Sequence, residues 1–214
     1  MRILILNLVM VFLIGCSGGY TQSSKEDAFW RWFQTNEKRL FDLETDRERI
    51  FDDLAAQLHR VNAGLTFEFG PKENGIREFV ISADGIKDVF PSVVALADAA
   101  PKLPRWQIVK FRPRRSFGPM SLNGLTISTD QVDFTIEPDG EKIGITLFID
   151  GYKETEHERY AAVAFLMLDH ALGEYDIETK VGGIDFKNRN ANSNLPKQPF
   201  ATLVKTFDAF AKNH

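Results

Sequence analysis

Cysteine is almost absent: the 214-residue chain contains one, Cys16, so it can close no internal disulfide and build no multi-thiolate metal site. Stability must therefore come from packing. Histidine is scarce too, with four residues, His59, His157, His170 and His214, dispersed along the chain. His157-Glu158 opens the zinc pattern H-E-x-x-H, but the position that needs the second histidine is Ala161, so no metal site is expected. The chain has no G-x-S-x-G, no G-x-G-x-x-G and no G-x-x-x-x-G-K-[ST], which removes sequence support for a nucleophile elbow, for dinucleotide binding and for a phosphate loop. No cofactor is expected. Nor is there a surplus of basic charge: the formal net charge is -4, and it becomes -5 without Arg2, so nothing global recruits nucleic acid. The longest apolar run is also too short to span a bilayer, at roughly 12 residues against the about 20 that a transmembrane helix needs.

That run, from Ile3 to Ile14 behind Arg2, closes on Leu13-Ile14-Gly15-Cys16 and is followed by the small polar Ser17-Gly18-Gly19. It reads as an export signal. The motif resembles the lipobox of bacterial lipoprotein signal peptides, a resemblance that implies cleavage before Cys16 and acylation, including palmitate, of the new N-terminal cysteine. A single acyl chain holds a protein marginally, at about 0.8 kcal/mol per buried methylene, and two or more hold it firmly. The alternatives are a secretory signal cut elsewhere, an uncleaved N-terminal helix and a buried helix with a core cysteine. The resemblance further implies the cell envelope, and Ser17 rather than Asp after the cysteine implies the outer membrane, facing the periplasm, in a Gram-negative cell. The expected organisation is a signal peptide over 1–15, a lipidated cysteine and short tether over 16–24, and a single α+β domain over 25–214. At about 3.5 Å per residue, Ser17 to Ser24 reaches under about 30 Å, which holds the domain near the bilayer.

From Cys16 onward 199 residues remain, with 43% of the whole sequence hydrophobic and 26% charged, enough for a substantial core. Phe is unusually frequent, at 18, and mostly falls at periodic positions. Phe29-Trp30-Arg31-Trp32-Phe33 fits a helix that packs on the domain or one that lies on lipid headgroups, and the apolar stripe that follows favours packing. Glu37 to Asn62 has helical spacing at Leu40, Phe41, Leu43, Ile50, Phe51, Leu54, Leu58 and Val61, and the mixed charges opposite read as a solvated face. After Gly64 the period becomes two: Leu65 to Phe69 and Ile76 to Ser82 predict a hairpin, Ile86 to Ala99 a helix, and Arg105 to Arg112 a strand. Strands over Leu122 to Ser128, Val132 to Glu137 and Lys142 to Asp150 follow, then a helix over Glu156 to Leu172, whose inner face is Tyr160, Val163, Ala164, Met167, Leu168 and Ala171. Tyr175 to Phe186 predicts one or two strands interrupted at Gly182-Gly183, and Pro199 opens a closing helix. The order strand, strand, helix, strand thus occurs twice. The expected fold is α+β, a mostly antiparallel or mixed sheet from two such halves with helices on the outer faces.

Two clusters offer chemistry. His170 and Glu174 stand one helical turn apart beside Asp169, a spacing at which a carboxylate orients an imidazole for acid–base work, although a His at a helix C-terminus also meets the last carbonyls favourably. Lys110, Arg112, Arg114 and Arg115 form a local basic run, and on a strand Trp106, Ile108, Lys110 and Arg112 share a face that could bind an anionic ligand; the alternative is a strand end whose charges are solvated.

Phe29-Trp30-x-Trp32-Phe33, Ala99-Ala100-Pro101-x-x-Pro104-x-Trp106 leading into Phe111-Arg112-Pro113-Arg114, and Phe165-Leu166-x-Leu168-Asp169-x-x-Leu172-Gly173-Glu174 together resemble a bacterial domain family of unknown function, over roughly Ala28 to Phe186. The resemblance implies one integrated domain and no catalytic residue. The functional expectation is a membrane-anchored, non-catalytic binding or interaction module with an envelope protein or an anionic ligand as partner. The alternatives are a hydrolase-like enzyme using Asp169, His170 and Glu174 on an anionic substrate, and an anion-binding module at Lys110 to Arg115.

Overall fold

The computed structural model describes residues 23–212; the leader, Cys16, most of the tether and His214 lie outside the described residues. The fold is α+β, and the repeated strand, strand, helix, strand order organises it. In the first half, β1 (Thr66–Glu73) and β2 (Ile76–Ser82) pair antiparallel, the helix α4 (Phe90–Asp98) crosses over, and β3 (Trp106–Lys110) returns parallel to β2. In the second, β6 (Val132–Asp139) and β7 (Lys142–Ile149) pair antiparallel, α5 (His157–Leu172) and α6 (Glu174–Lys180) cross over, and β8 (Val181–Asn188) returns parallel to β7. The short β9 (Gln198–Pro199) extends this sheet beside β6. Between the halves in sequence comes a small hairpin of β4 (Met120–Leu122) and β5 (Leu125–Ile127), which packs on the second half.

Each half has its own core. The first is roofed by α1 (Lys25–Thr35), α2 (Glu37–Phe41) and α3 (Arg47–Val61), which bury Phe29, Trp30, Phe33, Ile50, Leu54 and Leu58 against Phe79 and Ile81 of β2. Burial decides between the two readings of the aromatic cluster: Phe29, Trp30 and Phe33 are at most 2% exposed, and the indole of Trp30 donates to the Leu96 carbonyl at 2.7 Å. These rings therefore pack on the domain and present nothing to a headgroup. The second core lies between α5, α7 (Leu203–Ala211) and the sheet around β7, centred on Phe134, Leu147, Ile149, Val163, Leu168 and Phe207.

Several expected elements differ. The single helix over Glu37 to Asn62 is interrupted after Phe41 by a 3-10 turn at Leu43–Thr45. Leu40, Phe41 and Leu43 are all buried, yet at 100° per residue they span about 160° of a helix circumference, so the chain bends to bring all three inward. The strand over Leu122 to Ser128 is instead the β4–β5 hairpin, turned by Asn123 and Gly124 with φ of 50° and 73°, the left-handed pair of a two-residue turn. Tyr175 to Lys180 is helical in α6, because Glu174 and Asp176 favour a first helical turn and the strand starts only at Val181. Gly182-Gly183 then forms a bulge rather than a break. The Gly183 amide donates to Asp139 Oδ2 at 2.7 Å, and a Cβ on Gly182 would run into that same oxygen.

Candidate functional site

Three segment ends meet where the two halves touch. One is the Ala83-Asp84-Gly85 turn after β2; the second is Phe111-Arg112 after β3; the third is the junction of α5 and α6 at Gly173. All three are held in left-handed geometry, with φ of 50° at Asp84, 62° at Phe111 and 78° at Gly173. The ψ of 151° at Gly173 belongs to a region that only glycine visits readily, and a Cβ there would lie 3.1 Å from the Arg112 carbonyl. Glycine thus allows α5 to end and α6 to begin directly against the β3 exit.

The first residue of α6 closes the joint. Glu174 is 1% exposed, and its carboxylate accepts three backbone N–H groups: Ala83 at 2.9 Å and Gly85 at 3.2 Å on Oε1, and Arg112 at 2.9 Å on Oε2. The Glu174 amide returns a bond to the Arg112 carbonyl at 3.0 Å, and the Arg115 amide donates to the His170 carbonyl at 2.7 Å. The Arg112 guanidinium then binds Asp169 through Nε at 2.9 Å, and Asp84 and Ser82 through Nη1 at 2.9 and 3.1 Å. Burial opposes the charge on Arg112, but the hydrogen bond and charge of Asp169, the charge of Glu174 and the bond to Asp84 outweigh it and hold the group above its ordinary range.

This geometry separates the proposed acid–base group. The His170–Glu174 spacing assumed one continuous helix, whereas the chain breaks at Gly173. Glu174 points into the joint. His170 Nδ1 lies 2.9 Å from the Leu166 carbonyl of its own helix, a contact that places the proton of the neutral ring on Nδ1. Asp169 is engaged by Arg112 rather than by the imidazole.

The basic run likewise does not form an open face. Trp106 is 7% exposed, in the first core, with its indole N–H donating to Glu37 at 3.0 Å, so it lines no groove. The positive φ of Phe111 ends the alternation, and Arg112 leaves the face shared by Trp106 and Lys110. Each cation has a carboxylate: Lys110 has Asp98 at 2.5 Å, Arg114 has Asp176 at 2.6 Å and Asp208 at 2.8 Å, and Arg115 has Glu78 at 2.6 Å. The bond to Asp208 raises the Arg114 pKa and lowers that of Asp208, so an incoming anion would have to displace a seated partner.

Above the joint lies a groove of about 460 Å³ that Arg112, Asp169, His170 and Glu174 all line. Its other wall is apolar, made by Leu122 of β4 and by Phe165 and Leu166 of α5, which are 37%, 47% and 36% exposed. The sequence reading missed this wall. A signal was available, since Phe165 and Leu166 fall outside the inner stripe of a helix that already has a complete apolar face. Among the described residues no group of three or more His, Cys, Asp or Glu is arranged to hold a metal ion, and no helix is long and apolar enough to cross a membrane. Comparison with protein-family models, with curated proteins and with solved structures finds no match.

Proposed function

We propose that the chain is a lipid-anchored envelope protein whose folded domain is a non-catalytic binding module. The anchor rests on the resemblance of Leu13-Ile14-Gly15-Cys16 to a lipobox. The non-catalytic reading is supported by the fate of the best catalytic candidate: Glu174 is buried beneath three amides and Asp169 is held by Arg112, so neither carboxylate touches His170. An imidazole without an orienting carboxylate, bonded to its own helix, lacks the arrangement that acid–base catalysis uses.

The anchor is tested by Cys16→Ala. The variant should lose labelled palmitate and leave the membrane fraction, and a variant still acylated and membrane-bound refutes the anchor. The module is tested by a photo-crosslinker placed at Phe165, with the wild-type side chain restored as competitor; the expected result is one discrete adduct that excess unmodified protein removes.

One observation favours a second reading, a hydrolase-like enzyme. Arg112, Asp169 and His170 do line one groove, where His170 could act as a base on an anionic substrate once Asp169 yields Arg112. His170→Ala should then abolish turnover of a panel of ester and phosphoester substrates, and absence of turnover by the unaltered protein removes the reading.

A further inference from the structure

We propose that the groove above the joint docks a basic segment of a partner protein, one that carries bulky apolar side chains flanked by lysine or arginine. This rests on the binding-module reading and specifies its ligand.

The apolar wall supplies the anchor site. Phe165 leaves half its surface open while its ring meets that of Phe186 in a T-shaped contact, centroids 5.5 Å apart at 78°, so it is held in place before any partner arrives. Leu122 comes from the β4–β5 hairpin, which contacts α5, and brings a third apolar side chain to the same wall as Phe165 and Leu166. At about 460 Å³ the groove lies within the roughly 300–1,000 Å³ of sites that enclose a ligand group.

Charge selects the partner. Glu68, Asp84, Asp169, Glu174 and Glu178 line the groove, against Arg112 inside it and Lys87 and Lys142 beside Glu178, a surplus of two negative charges. Glu68 and Glu178 hold their nearest cations only at 4.0 Å. A cationic segment relieves this self-repulsion and is steered in by it. The same surplus repels a phosphate, an anionic headgroup and a second copy of this groove. A free cation or a polyamine would leave Phe165, Leu166 and Leu122 uncovered, so a segment with both charge and apolar bulk is the occupant that fits.

The test is fluorescence anisotropy with the full-length protein in detergent, detergent alone serving as blank. The probe is a short labelled peptide with a leucine-phenylalanine pair between lysines; one control replaces lysine by glutamate and another replaces the apolar pair by serine. The lysine peptide should bind more tightly than either control by about tenfold or more, and high salt should weaken it. Phe165→Ala should weaken it about 30-fold, the scale of an interface anchor, and Glu68→Gln should weaken it and flatten its salt dependence. Thermal unfolding reports whether each variant is folded, and Leu122→Ser stands in if Phe165→Ala is not. Equal binding of the three peptides, or binding unchanged in folded Phe165 and Leu122 variants, overturns the proposal. A discrete adduct from a crosslinker placed on another face, with none from Phe165, would leave the binding-module reading standing while this site fell.

Discussion

Replacing Glu174 by alanine should uncouple the two halves of the fold. The side chain is 1% exposed and its carboxylate satisfies the amides of Ala83, Gly85 and Arg112, so the substitution orphans three N–H groups and leaves Arg112 with less compensating charge. A hydrogen bond to a charged group contributes about 1.5–3 kcal/mol, and removal of the carboxylate also removes its own desolvation cost, so the three bonds do not simply add. The expected loss is about 3–5 kcal/mol, the range for breaking a buried charged network, which for a chain of this size lowers the thermal midpoint by roughly 6–20 °C. Glu174→Gln is the sharper control. Its amide can accept from the donors on one side only, so it keeps at most two of the three bonds and should cost about 1–3 kcal/mol. Denaturant unfolding followed by tryptophan fluorescence gives the magnitude, and amide hydrogen exchange at Ala83, Gly85 and Arg112 gives the location. A Glu174→Ala protein within about 0.5 kcal/mol of the parent, with those amides still protected, would refute the assignment of Glu174 as the tie between the halves.

Three further outcomes follow from the geometry. Gly173→Ala forces a side chain into φ 78°, ψ 151° and against the Arg112 carbonyl, and should cost about 2 kcal/mol or more in a denaturant titration. Trp30→Phe keeps one aromatic ring but removes the indole N–H that the buried Leu96 carbonyl accepts and leaves a small cavity; the expected loss is about 2 kcal/mol or more, read by calorimetry, and a neutral result would refute the buried bond. Glu44 is held at about 2 rather than 4.5, first by a hydrogen bond from its own backbone and then by Arg77 and Lys72. Because the folded state binds this proton more weakly than the unfolded state, its contribution is complete above pH 4.5 and is lost as pH falls toward 2. Glu44→Gln should therefore flatten the stability–pH curve in that window and leave its slope near neutrality unchanged.

Local pattern carried the elements whose cause is local. The period of two over Leu65 to Phe69 and Ile76 to Ser82 and the helical stripe of α5 needed only the alternation of burial, and both stand in the structure. Asn123-Gly124 was equally legible as a two-residue turn, but the surrounding apolar residues masked it as one strand. The helix α6 was hidden because Tyr175 to Lys180 has no clear period; the acidic first turn that favours it, Glu174 and Asp176, was the local signal, and the bond from the Glu174 amide to the Arg112 carbonyl seats it from outside. The candidate site was legible only as a list. Asp169, Arg112 and Glu174 were each named from sequence, yet their roles depend on partners 28 to 91 residues away, which no spacing rule reaches. A carboxylate that orients a histidine and one that receives three amides have the same local signature, and tertiary contacts alone tell them apart.

The acidity of the groove follows from how the joint is made. Three chain ends present N–H groups that need an acceptor, and Glu174 hydrogen-bonds to those amides rather than to a cation, so it brings a full negative charge to the site, where it also faces Arg112. Arg112 then draws in both Asp84 and Asp169, one more carboxylate than a single guanidinium can neutralise. Two negative charges are thus tied to the architecture, and altering them would disturb the fold as well as the field. Glu68 is different: it lines the groove, touches Arg112 only at 4.0 Å and binds none of the three amides. Neutralising it removes one unit of surplus charge and leaves the joint intact. That makes Glu68→Gln the variant in which electrostatic attraction of a basic partner separates from the structural work of the same cluster, while Phe165→Ala separates the apolar contribution from both.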